Sequence, residues 1–351
     1  MSNFVLIGPI NRQSAVCGTV FRDVRDGKLA DARYMNIISL FGGSRLLFHA
    51  LTNKRTMFAL RKLPRLQAAV IRFARGPLLD RTQRVRFRKL DRLISRDAEN
   101  YIVFVPGVRL YLLPPAVVES IRGRYPDCHL IFYLIDAVER LALNDKRSED
   151  AVIADLDHFD AVYTYDRANA ERYSDHMQFI DIPMWHAPAA LVEPEVQLYF
   201  CGRNKHRDEL LLAIHKRVAD AGMRCRMQIA MDGNLDGIHP DITQIRWLPY
   251  EDTVRDLQKS NCILEVLASH NNESTLRYKE AVIYNKKLLT NNPNIANLPY
   301  YDPRWMRTFE TAEDIDLDWL RAVEPVDYGY RGDYTAERFV KTVEEKYRRD
   351  P

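Results

Sequence analysis

Short, almost unbroken apolar runs recur along the whole chain, each followed by a longer stretch with helical periodicity. This alternation limits the available folds more than any other feature. In the first half the runs are FVLIG (4–8), YIVFVPG (101–107), HLIFYLID (129–136), DAVYTY (160–165) and QFIDIP (178–183). In the second they are VQLYFCG (196–202), MRCRMQIAM (223–231), ITQIRWL (242–248), CILEVL (262–267) and KKLLTNN (286–292). Amphipathic stretches lie between them, such as PAVVESIRGRY (115–125), RDELLLAIHKRVADAG (207–222) and EDTVRDLQKSN (251–261). A strand with one wet face alternates apolar and polar residues. These runs do not, so both faces must be covered, as in parallel strands joined through helices. The expected class is α/β, with two domains of parallel strands facing a cleft.

The length of 351 residues suits two such domains, at roughly 100–200 residues each. MWHAPAALVEPE (184–195) is rich in Pro and Ala and lacks a period, so the linker is expected there. The predicted organisation is a first domain over 1–185, a second domain over 192–325 and a terminal helix over 334–350. The five cysteines, Cys17, Cys128, Cys201, Cys225 and Cys262, form no CxxC pair. That argues against a disulfide framework or structural zinc and fits a reducing compartment. No secretory leader and no apolar stretch approaching about 18 residues is visible, so a cytoplasmic location is expected.

Residues 54–96 stand apart, with fourteen Lys or Arg against Asp80 and Asp91, although the whole chain carries only +3. Phe58, Leu60, Leu63, Leu66, Val70 and Ile71 interleave with the cations. A basic amphipathic segment suits an anionic membrane surface or another polyanion, and equally a solvated face balanced elsewhere. No recognised nucleic-acid motif accompanies it, and nucleic acid is not expected as a partner.

In open parallel sheets, ligands bind beyond the carboxyl ends of the strands. STLRYKEAVIYNKKLLTNN (274–292) has that location. Thr275 and Arg277 stand in the first turn of a predicted helix, where unpaired N–H groups and the dipole favour an anion. The Arg277 fork suits phosphate oxygens, and Glu280 is placed to accept two hydroxyls, as from a ribose. LYFCGRNKHRDELL (198–211) is a second such place. Gly202 lets backbone approach a ligand, while Arg203, Lys205 and Arg207 set cations above a helix start. Neither GxGxxG nor a P-loop is present. In RWLPYEDTVRDLQ (246–258), Trp247, Leu248 and Tyr250 offer an apolar wall to a base. Each of these places also has a plain structural reading, as an i,i+3 surface pair, a basic loop or a core aromatic.

These residues resemble bacterial glycosyltransferases of the GT-B fold, with two Rossmann-like domains, of the kind that build capsule, exopolysaccharide or lipopolysaccharide. FYLIDAV (132–138) is similar to the family's Tyr-Leu-Trp-Asp-Ser strand end, with Asp136 at its aspartate. FDAVYTYDRANAERY (159–173) resembles its Phe-Asp-x-x-x-Ser-Phe-Asp segment at Asp160 and Asp166. Thr275, Arg277, Glu280, Ala281, Lys286, Lys287, Leu288, Thr290 and Asn291 stand in register with Gly-Leu-Thr-x-Arg-x-x-Glu-Ala and Lys-Lys-Leu-Ile-Thr-Thr-Asn. The resemblance implies metal-independent transfer of a sugar from a nucleotide-diphosphate sugar to a glycan or lipid-diphosphate-linked acceptor. That donor is a substrate, and no cofactor is expected. Gly202, Arg203, Lys205, Arg207, Tyr250, Thr275, Arg277 and Glu280 would hold the donor. An inverting enzyme needs a base, for which Asp136 comes first, with Glu273 and Asp166 behind it. Where the family has Gln-x-Gly-Leu, this chain has Asn271, Asn272, Glu273 and Ser274. That departure supports a second reading, a catalytically inactive protein that binds a sugar nucleotide or glycan.

Overall fold

A computed structural model describes residues 2–8, 16, 19–41, 87–184, 186–187, 192–230, 242–245, 248–267 and 275–349. Glu273 with its neighbours 268–274, Trp247, and the basic segment before residue 87 lie outside the described residues. The chain divides into two compact units, Met1–Trp185 with Thr335–Pro351, and His186–Tyr334.

The first unit is built on six parallel strands, β1 (Ser2–Gly8), β2 (Ala32–Asn36), β3 (Glu99–Phe104), β4 (Cys128–Leu134), β5 (Ala161–Thr164) and β6 (Gln178–Phe179). Their order is β2-β1-β3-β4-β5-β6. The connecting helices are α1 (Thr19–Arg25), α2 (Pro115–Arg124), α3 (Val138–Asp145), α4 (Glu149–Leu156) and α5 (Arg167–Arg172). Pro115 opens α2, where its missing N–H costs nothing. Ser148 and Asp166 cap α4 and α5 by accepting from the N–H groups of Ala151 and Asn169 at 3.2 and 3.0 Å. Successive strand residues point to opposite faces. Val5, Ile7, Ile102, Phe104, Leu130 and Phe132 pack with Val118 and Ile121 of α2 and Leu156 of α4 on one face.

The second unit repeats the plan. Its strands are β7 (Val196–Arg203), β8 (Cys225–Ala230), β9 (Ile242–Ile245), β10 (Ser260–Glu265), β11 (Lys287–Thr290) and β12 (Met306–Thr308), with helices α6 (Asp208–Asp220), α7 (Tyr250–Gln258), α8 (Leu276–Ile283) and α9 (Leu317–Arg321). All strands pair in parallel, in the order β12-β11-β10-β7-β8-β9. Ile263 of β10 pairs with Tyr199 of β7 and Leu288 of β11. The last helix, α10 (Ala336–Arg349), belongs to the first unit. It covers the second face of that sheet, where Phe339 meets Tyr133 edge-on at 5.4 Å. The sequence reading of strands covered on both faces holds in both units.

Topology places the candidate site. The strands β7, β8 and β9 run outward in one direction, and β10 then returns to the other side of β7. The order therefore reverses between β7 and β10, and a crevice opens beyond the carboxyl ends of strands at such a reversal. In the first sheet the reversal lies between β1 and β3.

Candidate functional site

The loop leaving β7 carries four of the expected residues. Gly202 has little room for a side chain, because a Cβ there would stand 3.1 Å from the Phe200 ring. Asn204–Arg207 form a tight turn closed by the Arg207 N–H on the Asn204 carbonyl at 3.1 Å. Both central residues, Lys205 and His206, have positive φ, 49° and 60°. Non-glycine residues in that region are strained by roughly 1–3 kcal/mol each and cluster where a ligand or switch needs them. Arg203, Lys205 and His206 are exposed.

Arg207 turns out to have a different place from the one expected. Its guanidinium is spent on backbone carbonyls, with Nε donating to Asn204 at 2.9 Å and the two terminal nitrogens to Arg203 and Val266. Val266 directly follows β10. The cation read as a phosphate ligand is thus a strut across the β7/β10 reversal.

β10 ends on a residue that the sequence reading passed over. Glu265 is 0% exposed. Its Oε1 accepts from the Thr275 N–H at 2.8 Å and the Thr275 hydroxyl at 2.6 Å, and its Oε2 from the Thr290 hydroxyl at 2.7 Å. Thr275 in turn caps α8 by accepting from the Arg277 N–H at 3.1 Å. The Leu267 N–H donates to Asn291 Oδ1 at 2.6 Å, which ties the loop leaving β10 to the end of β11. The rest of α8 is anchored on aromatic groups. Tyr278 accepts from the Tyr300 N–H at 3.0 Å, Tyr284 accepts from the Ala187 N–H at 3.1 Å, and the Lys279 ammonium sits 4.6 Å from the Tyr334 ring centroid.

Arg277 and Glu280 form an ion pair at 2.7 Å, with side chains 14% and 0% exposed. Burial is the largest influence on Arg277 and opposes its charge, but Glu280 together with Cys201, Tyr199 and Tyr250 holds the guanidinium above its ordinary value. Burial pushes Glu280 up from 4.5 to about 7, against the pull of Arg277 and the Tyr250 hydroxyl, while Glu265 adds to the rise. Tyr250 opens α7, is 5% exposed, and places its hydroxyl beside this carboxylate. Glu280, expected at a ribose, is enclosed and serves Arg277. The structure therefore brings Tyr250, Thr275, Arg277 and Glu280 together, and links Gly202–Arg207 to them through Val266 and Glu265.

Asp136 belongs to the first unit, between β4 and α3. It does not cap α3, whose cap is Ala137, with the Val138 N–H donating instead to Asn169 Oδ1 at 2.9 Å. The Asp136 carboxylate accepts from Arg109, which follows β3. Asp160 and Asp166, which carry part of the resemblance, have structural work. Asp160 accepts from the Leu130 N–H at 2.7 Å and pairs with Arg122 at 2.9 Å, and Asp166 caps α5. Among the described residues, no group of three or more His, Cys, Asp or Glu is placed to hold a metal ion. No helix among them is long and apolar enough to cross a membrane. In the described end of the basic stretch, Leu90 is buried, Phe87, Leu93 and Ile94 pack on the core, and Arg88, Lys89 and Arg92 face outward.

No family model and no curated protein matches the chain. Solved structures do. AviGT4, a glycosyltransferase involved in avilamycin A biosynthesis, is similar over 99% of this chain and 97% of its own at 12% identity, with a TM-score of 0.56. A putative UDP-N-acetylglucosamine 2-epimerase from Listeria monocytogenes is similar over 100% and 97% at 9% identity, with a TM-score of 0.52. TarM of S. aureus is matched over 73% of this chain at 10% identity and a TM-score of 0.48, and the chain spans only 57% of TarM's length. At such identities the likeness is one of fold, and a transferase and an epimerase share it. Two all-parallel six-stranded α/β units, matched end to end with AviGT4, give this chain the GT-B fold.

Proposed function

We propose that the protein is a glycosyltransferase that takes a sugar from a nucleotide-diphosphate sugar and passes it to a hydroxyl of a glycan or lipid-linked acceptor, in bacterial surface-polysaccharide assembly. The observation that carries this reading is the tie between two loops at the β7/β10 reversal. Arg207 grips Val266, and Glu265 grips Thr275, so the strained basic turn and the start of α8 are held at one place.

A diphosphate leaving group gains negative charge as the bond from the sugar's anomeric carbon to the phosphate oxygen breaks. Cations and N–H groups already in position stabilise that charge without reorganising. Arg203 and Lys205 on the turn, and Arg277 with the first N–H groups of α8, take that role. Glu280 holds Arg277, and Thr275 holds the helix start. The acceptor oxygen forms the new bond to the anomeric carbon as its proton passes to a carboxylate. Asp136 is assigned as this base, oriented by Arg109, with Glu273 as the second candidate. Protein cations neutralise the diphosphate, so the assignment needs no metal. The basic segment 54–96 is assigned to an anionic membrane surface, which would place the enzyme at the inner face of the plasma membrane. Liposome sedimentation at low salt tests that part, and no binding to anionic vesicles removes it.

Thermal-shift titration with UDP, GDP, ADP, CDP and dTDP tests the donor site. At least one is expected to raise the midpoint in the wild type and not in Arg277→Met. Donor hydrolysis or transfer then separates an enzyme from a silent binder, which would show the shift without turnover.

A further inference from the structure

We infer that Glu265 is a positioning residue that sets where α8 begins and so where Arg277 stands; this rests on the donor-site reading above. A carboxylate with no exposure is costly unless its lone pairs are filled. Here three donors fill them, and two come from the same residue, Thr275. An apolar side chain would close this part of the core at lower cost. What the carboxylate adds is a two-point grip on the residue that caps α8. The neighbouring Val266 carbonyl holds Arg207 of the other loop. The Glu265–Val266 pair is therefore the hub on which both halves of the candidate site are hung, although neither residue faces a ligand.

The two carboxylate oxygens make the test possible. Oε1 serves Thr275, hence the start of α8, while Oε2 serves Thr290 of β11, whose hydroxyl also accepts from the Asn292 N–H and has no hydrogen bond to α8 among the described residues. Glu265→Ala, Glu265→Gln and Thr290→Val are compared with the wild type by urea midpoint and by calorimetric affinity for whichever nucleoside diphosphate gives the largest thermal shift. Glu265→Ala is expected to weaken binding about tenfold or more, the scale of one lost charge-assisted hydrogen bond. Glu265→Gln should restore affinity to within about threefold, because its carbonyl oxygen can take both Thr275 donors while its amide donates to the Thr290 hydroxyl. Thr290→Val should lower the urea midpoint and leave affinity unchanged.

A purely structural role predicts otherwise, with affinity falling in step with stability across all three variants, and that result overturns the inference. So does wild-type affinity in Glu265→Ala. If Glu265→Ala does not fold, Thr275→Val and Thr275→Ser carry the test. Valine must lose affinity and serine must keep it, and equal affinity in both refutes the role. Failure of the wild type to bind any of the diphosphates overturns the donor-site reading, and with it the assignment of Glu265.

Discussion

Glu280 makes a prediction whose size follows from its surroundings. The carboxyl is fully enclosed, faces Arg277 from its own helix, Tyr284 just beyond it, Tyr250 from α7 and Glu265 from β10, and has its pKa pushed from 4.5 to about 7 by burial. Arg277 stays charged at every accessible pH, so the pair titrates through Glu280. The folded pKa lies above the unfolded one, so the folded state holds the proton between the two values. Stability that is fully present below pH 4.5 is therefore lost as pH rises through 7. A rise of this kind corresponds to about 3 kcal/mol over the whole window, and about 2 kcal/mol of it falls between pH 5.5 and 8. Glu280→Gln keeps the shape and removes the titration. Urea unfolding of both proteins across pH 5–8 gives the difference directly, with other titrating groups common to both. Wild type minus variant should fall by about 2 kcal/mol from pH 5.5 to 8. A flat difference, or one that rises with pH, would mean that Arg277 compensates the carboxylate fully, and the account of the pair would be wrong.

Other substitutions test single contacts. Lys205→Gly and His206→Gly each relieve a positive φ, and relief of roughly 1–3 kcal/mol against a glycine entropy cost of about 0.5–1 kcal/mol predicts a net gain in urea stability. Diphosphate affinity should fall in Lys205→Gly and hold in His206→Gly. Arg207→Met frees three carbonyls and should cost about 2–4 kcal/mol in urea stability together with the affinity, and Arg207→Lys should not rescue either, since lysine lacks the fork. Asp136→Asn should abolish transfer while leaving the diphosphate thermal shift unchanged, and retained turnover would pass the base to another residue.

The fold was legible where burial is two-sided. The runs at 4–8, 101–107, 129–136 and 196–202 announce β1, β3, β4 and β7 because each is apolar through its middle on both faces. The edge strands β2 and β12, ARYMN and MRT, were missed because they are short and partly wet, and so lack an apolar run. The site was legible in part. A polar front on an apolar helix pointed to Thr275 and Arg277, but the partner that fixes Thr275 lay inside another apolar run, CILEVL, where one acid leaves no period. The available signal was the acid itself, since a glutamate at the end of a buried strand must have donors. Arg207 was misplaced for the converse reason. Sequence shows a guanidinium near a helix start, not the Val266 carbonyl 59 positions away that uses it.

The buried charges of the second unit sort themselves by how well they are satisfied. The ammonium of Lys287, 0% exposed, donates to Trp319 and Ala322 carbonyls at 2.9 and 2.8 Å and pairs with Glu324 at 2.9 Å. Glu265 has both oxygens filled. Such groups hold a fold together and have nothing left to offer a ligand. Arg277 and Glu280 differ. They meet as an ion pair, yet among the described residues Nη1 of Arg277 has no well-directed hydrogen bond, and the donors beside the Glu280 oxygens are Arg277 and the Tyr250 hydroxyl. A buried pair in that condition costs more than it returns, and a ligand with phosphate oxygens could supply what the guanidinium lacks. It stands at the amino end of a helix whose cap is held by a carboxylate, beside the reversal of strand order where ligands of open sheets bind. Two of these features arise from topology alone and would be found in any protein of this fold. The buried pair depends instead on which residues stand at 277 and 280, and Arg277→Met removes it.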